Sequence, residues 1–147
     1  MANIMDVANY FILTSYNEQG DNIDITLLKL QKLCYYAQGV HLATKGNRLF
    51  MNDLLAWEHG PVVKELHERF GKRGAIVLEK PKAKIEDLKL KKDELKILKD
   101  VYSYFGQFSA WKLRNMTHQE APWIQTPANN VIDIDLMKTY FKENIIA

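Results

Sequence analysis

The chain has 147 residues, 47% of them apolar and 26% charged, which is the balance of a soluble globular protein. A chain of this length buries roughly two-thirds of its unfolded surface, so it needs no disulfide or metal to fold. A net charge of +2 supplies no clustered Lys/Arg excess for nucleic acid, and one cysteine, Cys34, closes neither an intramolecular disulfide nor a cysteine zinc site.

From the N-terminus, Met1 to Tyr10 lack the basic n-region and apolar core of a secretory signal. No stretch approaches the roughly 20 apolar residues of a membrane span. The expectation is a soluble, cytoplasmic protein. Ile4, Val7, Ala8, Phe11 and Ile12 recur at three- and four-residue steps, which predicts a first helix over about residues 3–16, ending in the polar turn Asn17 to Asp21. Thr26 is placed to cap a second, long helix through Leu27, Leu30, Leu33, Cys34, Ala37, Val40 and His41, stopping at Lys45-Gly46-Asn47. Leu28, Tyr35, Tyr36 and Leu42 fill its other faces, so this helix is expected at the centre.

Arg48 to Trp57 reads as a short strand or an irregular segment. Gly60-Pro61 reads as the opening of the next helix, with proline at its first position. Val62, Val63, Leu66 and Phe70 line one face, and the pairs Glu65/Arg69 and Lys64/Glu68 suit an exposed one. Gly71 and Gly74 are read as its end. Ile76-Val77-Leu78 is compatible with a short strand, and Lys80-Pro81-Lys82 with Lys84 reads as an exposed basic connection. A further helix begins at Asp93 or Glu94 and stops at Gly106. Ser109 caps a short helix through Met116, Ala121-Pro122-Trp123 is a turn or helix start, and Asp133 caps a last helix carrying Leu136, Met137, Tyr140 and Phe141. No repeat or linker interrupts the chain. The fold class is mainly α: one domain over residues 1–147, a bundle of five or six helices with at most a small strand pair.

The chemistry is sparse. His41, His59, His67 and His118 include no pair at the i,i+4 spacing of a helical zinc site, so no metal is expected. Cys34 falls on the apolar side of a central helix, where a thiol behaves as a small hydrophobe. Two segments are less generic. Trp57-Glu58-His59-Gly60-Pro61 puts an aromatic, an acid and an imidazole before an expected helix start, a weak anion site. Thr117-His118-Gln119-Glu120-Ala121-Pro122-Trp123 brings Thr, His and Glu within four residues and invites acid–base chemistry, although both segments also read as core anchors and helix entries. There is no phosphate-binding glycine loop, no nucleophile elbow and no dinucleotide fingerprint. The lysines at 80, 82, 84, 89, 91 and 92, broken by Glu86, Asp87 and Asp93, read as a solvated connection; in a binding role they would suit an acidic protein surface or a phosphate backbone.

Three segments together resemble the Panacea domain, the SocA-like antitoxin family often described as phage-associated. They are Ile25 to Gly39 (ITLLKLQKLCYYAQG), Ala56 to Leu66 (AWEHGPVVKEL) and Leu113 to Trp123 (LRNMTHQEAPW), in the family's order and at about its separations. The resemblance spans residues 3–142. It departs at Cys34, where relatives carry Leu or a similar residue, and at His67, where Tyr is frequent. The resemblance implies a mainly helical domain with no assigned catalytic activity and no cofactor. Similar domains neutralise diverse protein toxins, at least one relative delivers its toxin to a protease, and many are encoded beside the toxin, often in prophages. Some relatives add a DNA-binding segment, for which this chain has no room.

The expected function is therefore that of an antitoxin binding a protein toxin encoded nearby, with no catalytic residues. The motif positions Gln31, Lys32, Trp57, Glu58, His59, Gly60, Pro61, Thr117, His118, Glu120 and Trp123 serve either the fold or the partner surface. Exposed aromatics to anchor a partner are sought among Tyr16, Tyr35, Tyr102 and Tyr104. The alternatives are a phage-associated regulator or proteolysis adaptor binding a protease or host factor, and a hydrolase using His59 and His118 with Glu58 and Glu120. No membrane partner is expected, the charge balance argues against nucleic acid, and oligomeric state is not legible.

Overall fold

The computed structural model describes residues 1–71 and 75–146. Its first helix, α1 (Ile4–Gln19), is capped by the Asn3 side chain, which accepts from the Met5 amide. It runs a turn beyond the expected end because Gln19 is held by the Tyr102 hydroxyl at 3.3 Å. A short 3₁₀ turn over Gly20–Asn22 then leads to α2 (Leu27–Lys45). Thr26 caps α2 through its hydroxyl, 3.3 Å from the Lys29 amide, and Gly46 ends it at φ +86°, both as the sequence predicts. Apolar residues on every face make α2 the axle of the molecule. It packs on α1, α3 (Lys64–Phe70), α4 (Lys92–Phe105), α5 (Ala110–Thr117) and α7 (Ile134–Asn144). A one-turn α6 (Ala121–Ile124) carries proline in its first turn. Ser109 and Asp133 cap α5 and α7 as expected.

The chain is mainly helical, with one two-stranded antiparallel sheet, β1 (Leu54–Trp57) and β2 (Gly60–Val63). Seven α-helices lie among the described residues, α6 being the one beyond the expected five or six. Gly60-Pro61 does not open a helix. Gly60 sits at φ +112°, outside the helical region, and pairs with Trp57, leaving Glu58-His59 as a two-residue hairpin turn. Pro61 lacks an N–H, which an edge strand tolerates. The helix begins only at Lys64. Gly71 follows its last residue; Gly74 lies outside the described residues. Ile76 to Leu78 is not a strand, because its backbone bonds go elsewhere: the Leu78 amide to the Ile25 carbonyl, and its carbonyl to the Tyr16 hydroxyl. The lysines from 80 to 92 are exposed, in keeping with a solvated connection.

One cluster of buried apolar side chains forms the core, with Phe11, Leu30, Leu33, Tyr35, Tyr36, Phe50 and Phe141 fully enclosed. Gly39 is the seat for Phe141: a Cβ there would collide with the ring. Among the described residues no helix is long and apolar enough to cross a membrane.

Candidate functional site

The three sequence segments converge on one corner, and α2 organises it with polar side chains that are all but enclosed. Gln31 sends its amide to both backbone groups of Val63, accepting from the nitrogen at 2.8 Å and donating to the carbonyl at 3.0 Å. It thus completes β2 as a third strand would. Lys32, fully buried, donates to the Pro61 carbonyl at 3.0 Å. Two turns on from Gln31, Gln38 repeats the device, accepting from the Leu49 and Phe50 amides and donating to the Phe50 carbonyl. A buried backbone group without a partner is costly, so these side chains decide where the hairpin and its approach can lie.

Gly60 is explained by the same contacts. A Cβ at this position would stand 2.7 Å from Lys32 Cε and 2.8 Å from Thr117 Oγ1. Thr117 is buried and donates to the Arg114 carbonyl at 2.8 Å. Trp123 donates its indole N–H to the Trp57 carbonyl at 2.8 Å and stacks on the His118 ring, with centroids 4.0 Å apart. The His118 ring also bonds the Glu58 backbone; burial, then the Arg114 cation, lowers its pKa despite that bond. Among the described residues its enclosed Nε2 has no hydrogen-bond partner.

Glu120 turns away from this corner into the core. Tyr35 and Tyr36 each donate a hydroxyl to one of its carboxylate oxygens at 2.8 Å. Burial pushes its pKa up to about 7, against the opposing effect of the two hydroxyls. The hydroxyls of Tyr35 and Tyr36 are themselves held well above the ordinary tyrosine range, first by burial and then by the adjacent Glu120.

The two segments proposed for acid–base chemistry therefore adjoin, and among the described residues no hydrogen bond joins the side chains of Glu58, His59, His118 and Glu120 to one another. Glu120 is committed to tyrosines, His118 to Trp123 and backbone, and His59 Nδ1 accepts from Arg114 Nε at 3.1 Å. Glu58 is exposed. Cys34 is fully enclosed, and burial raises its thiol pKa, so it has none of the properties of a nucleophile. No three metal-ligating side chains gather among the described residues.

What stands outward here is an aromatic and cationic face. Trp111 is 57% exposed, and the Arg114 guanidinium lies over its ring at 4.3 Å. His59 and Trp57 continue the face, with His67 edge-on to Trp57 at 4.9 Å. Beside it opens a cavity of about 360 Å³, lined by Leu28, Lys32, Trp57, His59 and Val62 among others. Sequence reasoning did not single out Trp111 and Arg114, although their i,i+3 spacing on a short helix was the signal for a stacked pair. Of the tyrosines sought as exposed anchors, Tyr35 is wholly buried, Tyr16 and Tyr102 are half-buried, and Tyr104 is exposed. Tyr35 was misplaced because α2 has no solvent side at that level.

A family model described as antitoxin SocA-like, Panacea domain, matches residues 30–124. That span holds β1, β2 and α3 to α6 with most of α2, and omits α1 and α7. No curated protein and no solved structure matches the chain.

Proposed function

The chain belongs to the SocA-like Panacea antitoxin family, and from that membership we propose that it neutralises a protein toxin by direct binding, without turnover. Neutralisation needs complementarity and no reactive centre. The observation that carries the reading is the division of labour among the motif residues. Gln31, Lys32, Gly60, Pro61, Thr117 and Trp123 hold the corner together and Glu120 braces the core beside it, while Trp57 and His59, joined by the neighbouring Trp111 and Arg114, form the adjoining face. Aromatic and arginine side chains dominate the binding energy of specific interfaces, which bury about 800 Å² per partner. The toxin is a product encoded nearby, and both proteins act in the cytoplasm.

The test is co-expression with the product of the neighbouring reading frame. That product alone should arrest growth, and this chain should relieve the arrest. Trp111→Ala and Arg114→Ala should each weaken the complex by about tenfold or more while leaving the melting temperature within about 2 °C. An adjacent product that is harmless, or whose toxicity this chain does not alter, refutes the proposal.

A further inference from the structure

Two lysines lie three residues apart on α2, both with side chains completely enclosed, and their surroundings differ. The Lys29 ammonium is fully engaged: Asp24 carboxylate oxygens at 2.9 and 3.0 Å and the Gly106 carbonyl at 2.8 Å take its three donors. Lys32 also carries three donors, but among the described residues it has one acceptor, the Pro61 carbonyl, and no carboxylate within ion-pair distance. An enclosed cation without a counter-ion is unfavourable, and the bond to the Pro61 carbonyl uses only one of its three donors.

Lys32 lines the 360 Å³ cavity. Its amine passes beneath Gly60, where the missing side chain leaves room: Nζ lies 3.2 Å from the position a Cβ would take. The enclosed, unpartnered Nε2 of His118 lies in the same neighbourhood, close enough for the Lys32 charge to act on its ring. The rest of the cavity wall is mostly apolar surface, from Leu27, Leu28, Trp57 and Val62, with the polar side chains of Gln31, His59 and His67 also on it. Glu58 is also on the wall and disfavours a multiply charged guest.

We propose that this cavity receives a single carboxylate on an apolar or aromatic body, with Lys32 as its counter-ion and Leu28, Trp57 and Val62 gripping the body. One cation facing an acidic wall residue suits a monoanion rather than a phosphate dianion. The carboxylate is either that of a small free acid or an acidic side chain presented by a partner, and the pocket does not depend on the antitoxin reading.

The probe is 3-phenylpropionate, titrated into the full chain by calorimetry, with 3-phenylpropanamide as the uncharged comparator. The acid should bind about tenfold or more tightly than the amide. Lys32→Met should abolish that preference, and Leu28→Trp, which fills the mouth, should abolish binding of both. Acid and amide binding alike, neither binding, or a preference surviving Lys32→Met would each overturn the proposal. Should Lys32→Met fail to fold, the unaltered protein still decides. Burial first, then Arg114, lowers the Lys32 pKa to about 7, with a smaller opposing effect from Cys34. The groups facing it are Arg114 and His118 from the end of α5, Cys34 from α2 and the Pro61 carbonyl from β2. The preference for the acid should therefore decline above pH 7, and a preference unchanged to pH 9 sinks the idea. A neutralised partner that displaces the probe identifies the source as a protein side chain; a partner and probe that bind together identify a free acid.

Discussion

At the residue scale, two positions carry more of the structure than their size suggests. Gly60 combines a positive φ of +112° with contact against Lys32 and Thr117. Gly60→Ala should lose about 3 kcal/mol of unfolding free energy, read by urea denaturation, since both the backbone conformation and the close approach oppose a methyl group. Glu120 supplies a pH test. Its folded pKa is raised from 4.5 to about 7, so between these values the folded state holds a proton that the unfolded state has released. Stability contributed by Glu120 is then complete below about pH 4.5 and is lost as pH rises toward 7, about 3 kcal/mol in all. His118, with its lowered pKa, works in the opposite direction below its ordinary 6.5 and blunts the observed fall. The clean measurement is therefore a difference: Glu120→Gln should gain stability relative to the parent as pH rises from 5 to 7.5. An unchanged difference would show that the carboxyl keeps its ordinary titration.

At the scale of elements, the hairpin is too small to stand alone. A two-stranded ribbon is marginal in water, and here Gln31 bonds the outer edge of β2 while residues 129–132 bond β1 through Ala56 and Leu54. Gln31→Leu keeps the volume but leaves the enclosed Val63 amide without its acceptor and takes one donor from the Val63 carbonyl, which caps α3 and keeps its helical bond. It should cost about 3 kcal/mol in urea denaturation and raise hydrogen exchange at Val63 more than within α4. The misreading of Gly60-Pro61 as a helix start belongs to this scale. Local preference permits a proline at the head of a helix or on an edge strand equally well. The choice was made by the Gln31 amide, 29 residues earlier in the chain.

Across the whole molecule, α2 is surrounded, and its neighbours arrive from both ends of the sequence. A close approach is made at Gly39, where the Phe141 ring of α7 occupies the place a side chain would take. Gly39→Ala should displace α7, costing about 2 kcal/mol by overpacking, and should make the chain after Asp133 the first site of limited proteolysis. A folded variant with α7 still protected would mean the ring slides aside without loss. The same arrangement accounts for Cys34, Tyr35 and Tyr36. Under the proposed function the partner surface lies away from α2, and at the convergent corner the α5 face with Trp111 and Arg114 reaches water beside the exposed Glu58 and His59.

Helix periods, caps and stops were written locally. Thr26, Gly46, Ser109, Gly106 and Asp133 act within a turn of where they stand, so the helices they bound could be read from the chain. The central place of α2 was also legible, because no side of it is polar enough for water. Which polar residues would be enclosed was not: Gln31, Lys32 and Glu120 have partners 32, 29 and 85 residues away. Burial reverses the ordinary preference of such groups for water only once those partners are brought together. Packing alone therefore decided which motif residues are enclosed and bonded to distant backbone, and that Lys32 is enclosed with no carboxylate beside it among the described residues.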